Sequence, residues 1–147
     1  MKLFVSGIGI MILMCIMMVN MSAQTQDPPA DSTKYTIENC INTFSRDKIE
    51  KTAVGYQYWF ADTSFADRKT LKMSVVAPHK ATHPPHKHKE DEFFFVLEGK
   101  AEFYLKGKWT PVEPYTSLYC PSWVEHGIRN AGDTELKYLV IKKYEKK

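Results

Sequence analysis

The chain has 147 residues and carries 20 Lys and Arg against 17 Asp and Glu, a formal charge of +3. That near-balance argues against nucleic acid as the main partner, and the length suits one domain with a sizeable core. Histidine is the most informative residue type, because all five (His79, His83, His86, His88 and His126) fall around two short segments.

In chain order, residues 1–23 read as an export leader. Lys2 gives a basic start, Leu3 to Val19 is uncharged and mostly apolar, and Met21-Ser22-Ala23 offers a cleavage site before Gln24. Cleavage would remove one Lys and no acid, taking the charge from +3 to +2. The expectation is a periplasmic or secreted protein with no membrane contact after cleavage. The alternative is an uncleaved N-terminal anchor. Residues 24–53 read as linker and arm, with Asp27-Pro28-Pro29 as its flexible part and Ile37 to Lys51 as a short helix or irregular arm. Cys40 and Cys120 remain after cleavage. Export permits a disulfide between them, but two small buried apolar residues is the reading favoured here.

From residue 54 to 147 the texture is that of many short strands. Gly55 to Phe60 is aromatic and β-prone, Thr70 to Val76 alternates in part, and Phe93 to Leu97 is an apolar run closing at Glu98-Gly99. Ala101 to Leu105 and Trp109 to Val112 flank Lys106-Gly107-Lys108 as a hairpin. Ser117 to Tyr119 and Leu136 to Ile141 are further strands, separated by the turn signal Asn130-Ala131-Gly132-Asp133. No segment with helical periodicity appears after residue 54, which predicts an all-β sandwich or small barrel.

Within this β-rich region stands His86-x-His88-x-x-x-Glu92, with Gly99 following after six intervening residues. Even offsets keep side chains on one side of an extended chain, so the two imidazoles and the carboxylate can converge on a divalent metal. The second informative stretch is Pro121-x-x-x-x-His126-x-x-x-Asn130, where a proline before and a glycine after suit a corner that aims His126 inward. Three imidazoles and one carboxylate fill four positions of an octahedral ion and leave two for water or substrate.

These residues resemble the cupins, in particular small single-domain cupins. The first cupin motif, G(x)5HxH(x)3,4E(x)6G, is matched by His86, His88, Glu92 and Gly99 over residues 86–99. The second, G(x)5PxG(x)2H(x)3N, is matched by Pro121, His126 and Asn130 over residues 121–130. Lys80, Tyr115 and Trp123 stand where the motifs have glycine. The resemblance covers roughly residues 70 to 142. It implies a double-stranded β-helix, a jelly-roll barrel, with His86, His88, Glu92 and His126 as ligands of one manganese, iron, nickel or zinc ion per chain.

The expected function is that of a metalloenzyme acting on a small oxygen-rich molecule such as a sugar acid or carboxylate. It would be an isomerase or lyase, or, with a redox metal, a dioxygenase or decarboxylase. The alternative is a non-catalytic cupin that binds a sugar or small metabolite. Glu92 is the candidate proton shuttle and Tyr104 a second candidate for catalysis. Phe94, Tyr58 and Asn130 are the substrate-contacting candidates. Phe94 and Val96 share the side of Glu92, and Ile128 and Asn130 that of His126, while Arg129 points outward. His79 and His83 read as loop residues at the rim. Outward-facing aromatic residues on the strands suit a homodimer.

Overall fold

The structure is a computed structural model and describes residues 34–144. The expected leader and most of the expected linker lie outside the described residues. The chain divides into residues 1–35 and 36–147, and the fold below is that of the second unit.

The arm holds one helical turn, α1 (Ile37–Cys40), in which Thr36 and Asn39 form a reciprocal capping box, and a 3-10 turn at Arg46–Lys48. Nine strands follow: β1 (Glu50–Thr52), β2 (Gly55–Ala61), β3 (Lys69–Val76), β4 (Glu92–Glu98), β5 (Ala101–Leu105), β6 (Lys108–Val112), β7 (Ser117–Cys120), β8 (His126–Asn130) and β9 (Leu136–Lys143). They form a six-stranded sheet in the order β1-β2-β3-β9-β4-β7 and a three-stranded sheet in the order β6-β5-β8, with every pairing antiparallel. This is the all-β architecture that the residue pattern implied. The sheet begins at β1, four residues before the expected start of the domain.

Local sequence explains the corners. The β5–β6 hairpin turns on Lys106 and Gly107, at φ 47° and 88°, and a type I′ turn requires positive φ at both positions. Asn130 ends β8 by donating its amide to the carbonyls of Val76 (2.9 Å) and Thr134 (2.7 Å) and accepting from Gly132 N (2.9 Å). The Asn130 side chain is thus fully engaged in holding the β8–β9 turn. It is a structural residue and does not reach the cavity as a substrate contact.

The apolar core has two parts. Phe94, Val96, Leu118, Cys120, Ile128, Leu136 and Tyr138 pack together inside the barrel. A second cluster of Tyr58, Met73 and Val75 lies on the opposite face of β2 and β3. The arm covers it there, with Phe44 edge-on to Tyr58 at 5.0 Å and the Tyr58 hydroxyl donating to Thr43 O at 2.9 Å. Tyr58 therefore faces away from the barrel interior, contrary to its expected place in a substrate pocket. Its neighbours Gln57 and Trp59 take the inward places. Both cysteines among the described residues are free; Cys120 is buried as expected, whereas Cys40 is exposed.

Three residues flanking the motif loops have left-handed backbone without being glycine: His79 (φ 57°), Tyr115 (φ 62°) and Trp123 (φ 60°). Tyr115 and Trp123 stand where the motif has glycine, and the first motif's glycine position is Lys80, next to His79. The loops have kept the backbone bend without the residue that adopts it most easily. Gly99, in contrast, is retained at φ 92°, and a Cβ there would meet Glu135 O at 2.6 Å. Gly99→Ala should lower unfolding stability by about 2 kcal/mol or more. Tyr115→Gly, at an exposed site, should leave it unchanged or raise it by up to about 1 kcal/mol. Urea midpoints of the metal-free protein read both, and a neutral Gly99→Ala would contradict the assignment.

Candidate metal centre

The segment between β3 and β4 carries two of the motif histidines, and it is not a regular strand. His86 forms an isolated bridge with His126, and His88 lies in irregular chain. The expected strand alternation therefore does not place them; the prolines at 84 and 85 prevent it. Cross-links from the second motif hold them instead. His86 N donates to His126 O at 3.0 Å and His126 N returns a bond to His86 O at 2.9 Å. Trp123 N donates to His88 O at 2.8 Å, and the Ser122 hydroxyl donates to Lys89 O. The two motif loops thus fold onto each other with the imidazoles between them.

His86, His88, Glu92 and His126 each bring one donor atom to a common point, all within 4.8 Å of one another. The imidazole orientations are set from behind. Nδ1 of His86 lies 3.1 Å from Pro84 O, that of His88 2.7 Å from Glu90 O, and that of His126 2.8 Å from Val124 O. An Nδ1–H donating to a carbonyl leaves Nε2 with its lone pair free, the tautomer a metal ligand needs. His126 Nε2 is 3.1 Å and His88 Nε2 3.5 Å from Glu92 Oε1. Three neutral imidazoles and a carboxylate, with ligand bonds of about 2.0–2.2 Å, fit a divalent transition metal.

The cluster sits in the wall of a cavity of about 250 Å3. His86, His88 and Glu92 line it, and His126 is wholly buried behind them. Alternate residues of four strands add most of the lining: Gln57 and Trp59 from β2; Thr70, Lys72 and Ser74 from β3; Phe94 from β4; Tyr138, Val140 and Lys142 from β9; Ile128 of β8 joins them. Phe94 is where the sequence placed it, on the wall beside His126, with ring centroids 6.2 Å apart. His83 also reaches the lining, whereas His79 is exposed and pairs with Asp133 at 3.0 Å. Tyr104 is not at the cavity. It lies on the outer face of the small sheet, where its hydroxyl donates to Glu125 at 2.7 Å, and that bond raises its pKa. Arg129 faces outward as expected, stacked 4.1 Å from the Trp109 ring.

Two lysines that the motifs do not include enter this site. Lys142 Nζ lies 3.2 Å from His88 Nε2 and 3.7 Å from Glu92 Oε2, against the donor atoms themselves. Lys72 Nζ lies over the Trp59 ring, 5.1 Å from its centroid. Alternation on β3 and β9 could have flagged both. A lysine on a half-buried strand reads as solvent-facing, and here the polar face is the one inside.

Burial alone would raise the Glu92 pKa, but the His126 hydrogen bond and the charges of Lys142 and His88 outweigh it and hold the carboxyl below its usual 4.5. Burial alone would lower the His126 pKa, and the hydrogen bond to Glu92 outweighs it, holding the imidazole above 6.5. For His86, desolvation prevails and the pKa falls. In the metal-free protein the Glu92–His126 pair stabilises the fold fully above the unfolded carboxyl pKa of 4.5 and below the unfolded imidazole pKa of 6.5. The contribution fades as pH falls through the lowered Glu92 pKa and as it rises through the raised His126 pKa. The stability difference between wild type and Glu92→Gln should therefore peak in that window, at about 1–3 kcal/mol. Denaturant titrations across pH read it, and a difference that grows steadily above pH 7 would contradict the pairing.

Residues 72–142 match the family model described as "Cupin domain" (Cupin_2). The chain is similar to the oxalate-binding protein of Thermotoga maritima, 33% identical over 57 residues that cover 38% of this chain and 47% of that protein. It is also similar to the 5-nitrosalicylic acid 1,2-dioxygenase of a Bradyrhizobium species, 30% identical over 56 residues, 38% of this chain and 27% of that enzyme. The match therefore spans less than half the length of either relative. Among solved structures, the polyketide cyclase RemF of Streptomyces resistomycificus superposes with a TM-score of 0.61 at 25% identity, covering 71% of this chain and 80% of that one. With both motifs assembled into one cluster inside the barrel, and the family match across it, residues 72–142 are a cupin domain.

Proposed function

We propose that this protein is a mononuclear metal-dependent enzyme whose substrate is a small oxygen-rich molecule of the sugar-acid or carboxylate type. One observation carries the reading: the donor atoms of His86, His88, Glu92 and His126 converge on the wall of the cavity. A divalent ion held there supplies Lewis-acid polarisation of substrate oxygens, and with a redox metal also oxidative chemistry.

The chain's own residues do the rest. The backbone carbonyls behind the three imidazoles fix their tautomers, so the ligand set is preorganised. Phe94, Ile128 and Val140 give the lining its apolar part, while Thr70, Ser74 and Tyr138 offer hydroxyls from β3 and β9. Glu92 is the only carboxylate in the lining among the described residues and is the group assigned to move a proton.

A binding module is the second reading. It is favoured by the fact that the cavity's one carboxylate is also a metal-ligand candidate, which leaves no separate acid of that type, and by the likeness to a protein named for binding oxalate. The apolar run from Leu3 to Val19 supports export, and the exposed Phe93, Tyr119 and Ile141 support a homodimer; both stand here as proposals.

His126→Ala separates the readings. An enzyme should lose about 100-fold or more in turnover and most of its bound metal while its metal-free form stays folded. Turnover should be screened on uronates, keto-sugars and small diacids, with and without O2, alongside metal analysis. Wild-type protein that takes up no manganese, iron, nickel or zinc would overturn the metal reading. Stoichiometric metal and tight binding, with no turnover on any class, would favour the binding module.

A further inference from the structure

The lining of the cavity is cationic in a way that the metal reading alone does not require. Lys72 on β3 and Lys142 on β9 both project inward from neighbouring strands, where Thr70 pairs with Lys142 and Lys72 with Val140. Lys142 is occupied: Glu92, Glu90 and His88 surround it at 3.7, 4.0 and 3.2 Å. Lys72 is not. Among the described residues no oxygen lies within hydrogen-bonding or ion-pair distance of its Nζ, and its one close contact is the Trp59 ring.

The surroundings hold Lys72 in that state. Glu50, on β1 two strands away, is taken up by Gln57 Nε2 at 2.7 Å and by the Trp59 indole N–H at 3.2 Å. That contact orients the indole whose ring lies under the ammonium. A half-buried ammonium without an anion is unfavourable unless something supplies one. A divalent ion bound by three neutral imidazoles and Glu92 leaves the centre at a net charge of +1. Lys72 adds one more, since Glu90 beside Lys142 offsets that lysine, and among the described residues no further carboxylate lines the space. The contents that balance this cavity are anionic.

We propose that Lys72, seated on Trp59, binds a second anionic group of the ligand, so that the natural ligand is a compact dianion such as a dicarboxylate or an acidic sugar acid. One group faces the metal cluster and the other meets the Lys72 ammonium. The proposal rests on the metal reading for the first contact only. Lys72 is a binding residue here, with no part in bond making.

The test is calorimetric titration of the zinc-loaded full chain with malonate, succinate and glutarate, each beside its monomethyl ester. At least one diacid should bind wild type about tenfold more tightly than its ester, the worth of one charge-assisted hydrogen bond. Lys72→Gln should bring that ratio to within about twofold, and Lys72→Arg should restore most of it, as removal or replacement of a single charge predicts. Since Lys72 makes no hydrogen bond in the fold, Lys72→Arg should keep the wild-type melting temperature, and Lys72→Gln, which removes a half-buried unpaired charge, should keep or raise it. Diacids that show no preference over their esters, or a preference that survives Lys72→Gln, would overturn the proposal. The same titrations on zinc-free protein separate the two readings. A Lys72-dependent preference that persists unchanged without zinc supports the lysine seat and counts against the metal reading.

Discussion

The bridge between His86 and His126 is the constraint on which the site depends. Two backbone hydrogen bonds join a proline-broken loop to the start of β8, so two residues forty positions apart in sequence share one local geometry. Without that bridge, residues 77–91 would be a long irregular connection with no reason to present its histidines inward. With it, the loop takes its alignment from the small sheet, and Glu92, opening β4, takes its own from the large one. The four-residue cluster therefore sits where the two sheets meet, and its geometry reports how they are joined.

The barrel interior is divided between two kinds of surface. Toward the β5 end the lumen is filled by Val96, Ala101, Leu136 and Ile128, which gives the domain its core. Toward the cluster it turns polar, with hydroxyls, lysines and imidazoles on alternate strand positions. The apolar faces of β2 and β3 then point the other way, where the arm covers part of them. This arrangement ties the arm to function indirectly. The arm packs on Tyr58 on the outside, while Gln57, Lys72 and Ser74 occupy the inside.

That inversion marks the limit of what the residues disclosed in advance. The strands of the second half were readable from their alternation, from Lys106-Gly107 and from the Asn130-to-Asp133 turn, because local chemistry alone determines them. The four converging residues were readable because ligand chemistry constrains both type and spacing, although the extended-strand argument for His86 and His88 does not describe their backbone. Tyr58, Tyr104 and Asn130 were misplaced for separate reasons. For Tyr58 the parity of β2 had no anchor, for Tyr104 the outer face of a hairpin looks like its inner face in sequence, and for Asn130 a turn-capping amide is indistinguishable from a ligand-facing one. Lys72 and Lys142 went unseen because a polar stripe on a strand ordinarily means solvent.

The central claim is that one divalent ion is held by all four groups at once. Anomalous diffraction from crystals grown with manganese or zinc tests it most directly. A single strong peak should lie about 2.0–2.2 Å from Nε2 of His86, His88 and His126 and from one oxygen of Glu92. A peak bound elsewhere, or none with His126 still turned onto Glu92, would contradict it.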